Sequence, residues 1–177
     1  MGEQEITRAL LQNNDLEIEQ EEAVFAAHIA NGSYLSAVAV LSEGDENKLN
    51  FERFMMVMRL AWQVGNKKDH ASLKTLRKWS DDMAASTMGR ERQKNFLSYA
   101  QRLTRENFIL NLQQPELNYL TSLEADFSKR FSPFIHERNV EDIMTEFGLA
   151  ERHIEQNVNA KMVFFDLTLK IIMLLKK

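Results

Sequence analysis

Four histidines, His28, His70, His136 and His153, are the side chains in this sequence best suited to hold a metal or to exchange a proton near neutral pH. They fall in four separate segments. His136 with Glu137, or His153 with Glu155, could be called metal pairs, but helical neighbours one or two positions apart point in diverging directions. No His-Glu-x-x-His pair puts two imidazoles on one helical face. Acids are plentiful (Glu19, Glu21, Glu22, Asp81, Asp82, Glu141, Asp142, Glu155), in the pattern of solvated faces. None sits in an apolar setting that would mark it as a general acid or base. With no cysteine there is no thiolate nucleophile, thiolate metal site or disulfide frame, which suits a reducing compartment. The phosphate-cradling Gly-x-x-x-x-Gly-Lys-Ser/Thr loop, the Gly-x-Gly-x-x-Gly turn and the Gly-x-Ser-x-Gly elbow are all missing. These residues predict no catalytic, metal or cofactor site on this chain.

One stretch invites a different chemistry. Arg90, Arg92, Lys94, Arg102 and Arg105 are interleaved with Phe96, Tyr99 and Phe108, so nucleic-acid contact has to be weighed. The same residues read as a solvated cationic helix face with its aromatics turned to the core. The net charge of −4 argues against the whole chain being a phosphate-binding surface. Contact with DNA is therefore expected to be weak or absent.

The elements that position these residues are helical throughout. A chain of 177 residues can bury a real core, and six glycines with two prolines leave room for long helices. Ile6, Leu10 and Leu11 form a short apolar-periodic segment. Residues 17–31 read as a helix with acids in its first turn and a small-residue face of Ala23, Ala26, Ala27 and Ala30, stopped by Asn31-Gly32. Ser33 can cap a helix from Tyr34 to Ser42 that ends near Gly44, and residues 45–48 read as a charged connector. Phe51 to Val64 is an amphipathic helix stopped by Gly65, and Asp69 can cap the next, which runs to Met83. A long helix follows over residues 90–112, ended by Gln113-Gln114-Pro115, and the helical pattern resumes over residues 117–131. Residues 132–139 form a connecting loop with an apolar tip, whose Asn139 is a good cap for a helix from Val140 to Glu155. No strand-like alternation and no internal repeat is present.

The final stretch is the most informative. Phe164, Leu167, Ile171 and Leu174 line one helical face; Met162, Phe165, Leu169, Ile172 and Met173 line another. Asp166 and Lys170 form an i,i+4 pair between them. A helix apolar on so much of its circumference must be covered on more than one side, by its own domain or by a partner subunit. Its apolar run, roughly 21 Å as helix, is too short and too interrupted by charge to cross a bilayer. Asn157 and Asn159, at its entry, suit a helix break or cap.

This order, Ile154-x-x-Asn157-x-Asn159-x-Lys161 before a dense apolar helix, resembles the last helices of bacterial clamp-loader subunits of the AAA+ family, most closely the delta-prime-like subunits of DNA polymerase III. Two other places carry the resemblance. Ala30-Asn31-Gly32-Ser33-Tyr34-Leu35-Ser36-Ala37 looks like the end of the small lid domain, and Phe131-x-Pro133-Phe134-Ile135-x-x-Arg138-Asn139 is similar to the collar of Bacteroidetes-type sequences. In ATPase members an arginine shortly after Gly-Ser senses the γ-phosphate. Tyr34 and Leu35 stand there instead, and an uncharged side chain cannot stabilise transferring phosphate charge as a cation does. The resemblance covers nearly the whole chain. It implies a lid remnant over residues 1–44 and a helical collar over 45–177, with an AAA+ module upstream. It also implies gamma/tau-like and delta-like loader subunits as partners, and a cytoplasmic role in placing the sliding clamp on primed DNA. The candidate subunit interface is then Phe134, Arg138, Asn157, Asn159, Phe164, Asp166, Leu167, Ile171 and Leu174. The alternative is a free-standing helical adaptor that binds another protein through a helix groove.

Overall fold

The computed structural model describes residues 2–176, the side chains of Ile29 and Pro115 excepted. Those residues form eight α-helices and two short 3₁₀ turns, with no strand among them, so the all-α expectation holds. They make two compact units that divide between Leu49 and Asn50.

The first unit contains α1 (Glu3–Leu11), α2 (Gln20–Ile29) and the beginning of α3 (Tyr34–Lys67). Ile6 and Leu10 of α1 meet the small-residue face Ala23, Ala26 and Ala27 of α2, with Ala30 and Ala37 completing a core in which short side chains allow close approach. Helix ends follow local chemistry. Asn31 and Gly32 take positive φ angles of 44° and 92° after α2, and Ser33 Oγ accepts the Ser36 N–H at 3.3 Å to start α3. Lys48 pairs with Glu22, which lowers the glutamate's pKa and raises the lysine's.

The second unit takes the rest of α3 with α4 (His70–Met83), α5 (Gly89–Asn111), α6 (Ser122–Phe131), α7 (Val140–Glu155) and α8 (Ala160–Leu174). Helix α5 packs against α7, and α8 packs against both α4 and α7. Phe54 of α3 is fully buried between Phe131 (6.1 Å, edge-on) and Phe147 (6.4 Å). Trp79 of α4 lies edge-on to Phe96 of α5 at 5.7 Å and to Phe164 of α8 at 6.1 Å. Each such aromatic pair adds about 0.5–1.5 kcal/mol beyond the area it buries.

Four local expectations are corrected. Gly44 and residues 45–48 do not end a helix: α3 runs unbroken for 34 residues. A single exposed glycine costs about 1 kcal/mol against alanine, too little to stop a helix anchored by apolar packing on both sides. Gly65 is not a stop either. It is a buried helical residue, and a Cβ placed there would stand 2.9 Å from Lys176 Cγ and 3.1 Å from the Ile172 carbonyl oxygen, so it lets α3 and the end of α8 approach. The turn of α3 comes at Lys68, in the left-handed region at φ 52°. Helix α6 begins only at Ser122; residues 115–117 make a 3₁₀ turn, and Thr121 Oγ1 accepts the Glu124 N–H at 3.3 Å. Finally, Asn139 stands at the N-cap position of α7 but its side chain makes no cap bond there.

Candidate interaction surfaces

Asn157 and Asn159 owe their positions to backbone geometry. Asn157 has φ 61°, its N–H reaches the Ile154 carbonyl (3.2 Å), and the Val158 N–H reaches back to His153 (3.0 Å). That pair of bonds is a Schellman closure of α7, and the left-handed residue in it favours asparagine or glycine. Arg90 donates from Nη1 to the Ile154 carbonyl at 2.9 Å and satisfies the same helix end. Two residues on, Asn159 Oδ1 accepts the Met162 N–H at 3.3 Å and caps α8. The Asn-x-Asn entry is a stop followed at once by a start.

Helix α8 then divides its faces. Phe164, Leu167, Ile171 and Leu174 are all buried in the chain's own core, as are Val163 and Ile172. The first four are therefore packing residues, which the bundle itself covers. The face left outward is Met162 (69% exposed), Leu169 (41%) and Met173 (62%), an apolar stripe one helical face wide. Asp166 borders it and bonds Lys170 at 2.9 Å, while Lys170 also reaches Glu146 of α7 at 3.1 Å. Both hydrogen bonds raise the Lys170 pKa. Of the predicted interface residues, Asn157, Asn159, Asp166, Phe134 and Arg138 are at or near the surface.

Phe134 belongs to a second surface. The loop after α6 turns through a 3₁₀ turn, Ser132–Phe134. Asn139, 1% exposed, locks it: Oδ1 accepts the His136 N–H at 2.9 Å, and Nδ2 donates to the Phe134 carbonyl (2.8 Å) and the Leu174 carbonyl of α8 (3.3 Å). One buried amide thus ties the Phe134 loop to the end of the last helix. Arg138 stays exposed, its N–H donated to His136 Nδ1 at 3.3 Å. The Phe134 ring lies 5.5 Å from Trp62 of α3. Between α3 and α6 these rings border an apolar groove of about 380 Å³. Phe51, Met55 and Met58 supply one wall; Leu123, Phe127 and Phe131 supply the other. Phe127 and Phe131 stack at 5.0 Å, and Phe127 meets Phe51 edge-on at 5.8 Å. Arg59, Arg130 and Asp126 stand among the lining residues. From sequence, Phe134 and the apolar helix from Phe51 to Val64 are candidates for such a surface; the wall supplied by Leu123, Phe127 and Phe131 of α6 is not legible there.

The stretch with mixed cations and aromatics turns its rings inward. Phe96 and Tyr99 are buried, Arg90 caps α7, and Lys94 pairs with Glu91 at 3.1 Å. Arg102 bonds Glu124 at 2.6 Å and the Tyr119 carbonyl at 3.1 Å, and lies 5.1 Å from the Tyr99 ring centre. The Tyr99 hydroxyl donates to the same buried Glu124 at 2.8 Å. Burial, then this bond and the carboxylate's charge, push the Tyr99 pKa far up, against a smaller opposing pull from Arg102. Of the histidines, His28 meets Glu3 at 3.1 Å on the surface, and His136 holds its own loop. Among the described residues no group of three His, Asp or Glu is placed to hold a metal ion, and no helix is long and apolar enough to cross a membrane. In comparisons with known proteins, the chain matches no family model, no curated sequence and no solved structure.

Proposed function

We propose that this chain is an assembly module, the collar with the end of the lid of a delta-prime-like subunit of the bacterial DNA polymerase III clamp loader. The observation that carries the reading is the outward stripe of Met162, Leu169 and Met173 on a terminal helix whose other side already closes the core. An apolar stripe left on a finished bundle marks a protein contact surface. Support also comes from the three stretches that bear the resemblance, each of which has a defined structural job. The Asn157–Asn159 entry sets the direction of α8, the Phe134–Asn139 loop is tied to its end, and Gly32-Ser33 starts α3. In this role the module does no chemistry. It would hold its subunit against gamma/tau-like and delta-like neighbours while the assembled loader opens the sliding clamp.

The test is co-expression with those loader subunits from the source organism, followed by size-exclusion chromatography. A stable complex, lost on Met162→Asp with Met173→Asp while the melting temperature is unchanged, is the expected result. Failure to associate, both by this chain and by a longer polypeptide carrying an upstream ATPase module, would overturn the assignment. The groove between α3 and α6 favours a second reading, a helical adaptor for an unrelated protein, which the same experiment separates from the first.

A further inference from the structure

The groove between α3 and α6 has a shape and a charge that together specify an occupant. Its volume of about 380 Å³ holds one or two large side chains rather than a whole helix. Its walls are rings and thioethers, with Trp62 and Met55 half-buried and Phe134 and Leu123 exposed. Aromatic residues, methionine and arginine are the types that concentrate at protein contact sites, and methionine adapts its shape to what it meets. Arg59 and Arg130 are exposed at the groove, and neither side chain makes a hydrogen bond or ion pair among the described residues. Asp126, the one acid among the lining residues, already faces Lys129 at 3.9 Å. The rim therefore presents two unanswered guanidinium groups beside an apolar slot. The outward stripe of α8 differs, since its bordering charges, Asp166, Lys170 and Glu146, answer one another.

We propose that this groove receives an acid-flanked segment of a partner protein, seated by one or two large apolar side chains (Phe, Leu or Trp) and registered by carboxylates on Arg59 and Arg130. Apolar anchors supply the affinity, and the two arginines exclude basic segments and set direction, since rim charges act mainly on specificity and encounter rate. The assignment is independent of which assembly the chain belongs to, so it can fail or succeed separately from the loader reading.

The experiment is selection of a displayed library of random peptides, each of about twelve residues, on the full chain, followed by anisotropy titration of the enriched sequences. Enrichment of Phe, Leu or Trp beside Asp or Glu is expected. Binding should weaken by about fivefold or more in Arg59→Glu/Arg130→Glu, and should be abolished in Leu123→Glu. A peptide with its acids changed to lysine should regain affinity for the charge-reversed protein. All three substitutions lie at exposed positions, and Arg59→Gln/Arg130→Gln serves as a milder variant if the reversal perturbs folding. Three results would overturn the proposal: no enrichment above the Leu123→Glu protein, enriched peptides without acids, or affinities indifferent to the charge reversal. A concentration-dependent dimer that disappears in Arg59→Glu/Arg130→Glu would overturn it as well, by making a second copy of the chain the occupant.

Discussion

Three asparagines that look alike in sequence do three different things. Asn159 caps α8 through its side chain, Asn157 supplies a left-handed backbone, and Asn139 is a buried bridge between a loop and a distant helix end. Asn159→Ala is expected to lower stability by about 1 kcal/mol, the usual worth of a cap, measured by urea denaturation. Asn157→Gly should leave stability nearly unchanged, because glycine tolerates the same φ. Tyr99 gives a pH dependence whose sign is fixed by its surroundings. Its folded-state pKa is raised, so the neutral phenol stabilises the fold fully below its unfolded value of about 10. That contribution is lost as the pH climbs above this value. The urea midpoint of the wild type should therefore fall more steeply between pH of about 9 and about 11 than that of Tyr99→Phe. Parallel curves would mean that Tyr99 is not the buried donor to Glu124.

Within helices, the two glycines of α3 are opposites. Gly44 is exposed, and a Cβ added there would meet nothing within 4 Å, so Gly44→Ala should stabilise by about 0.5–1 kcal/mol through helix propensity alone. Gly65 faces the Ile172 carbonyl and Lys176. The lysine can swing aside but the carbonyl belongs to a packed helix, so Gly65→Val should cost about 1–3 kcal/mol by overpacking. Thermal melting of the two variants reads both signs. A gain at Gly65 would mean that α3 and α8 stand further apart than described.

For the bundle as a whole, neighbouring positions on α8 separate core from surface. Leu174 is 9% exposed, and Leu174→Asp should cost several kcal/mol, on the order of 3–5, by burying an unpaired charge. Met173, its neighbour and mostly exposed, should accept aspartate with a change of about 0.5 kcal/mol or less. Equal effects at the two positions would contradict the division of faces on which the proposed assembly surface depends.

Local chemistry alone determined the helical character of this chain and several of its boundaries. Val140–Glu155 is the helix its periodicity predicts, Asp69 caps α4 by accepting the Ala71 and Ser72 N–H groups, and Asp166 meets Lys170 across one turn. Such features are set by groups within four residues of one another, so they are written in the sequence. Gly44 and Gly65 could not be read that way, because whether a glycine ends a helix depends on how much packing the flanking turns recover. Nor could the two faces of α8 be told apart. Phe164 and Met162 are both apolar at helical spacing, and only the placement of α4 and α7 decided which is covered. The groove between α3 and α6 joins residues some 70 positions apart; hydrophobicity drives such surfaces inward without direction, and the tertiary structure alone decides which rings remain in reach of a partner.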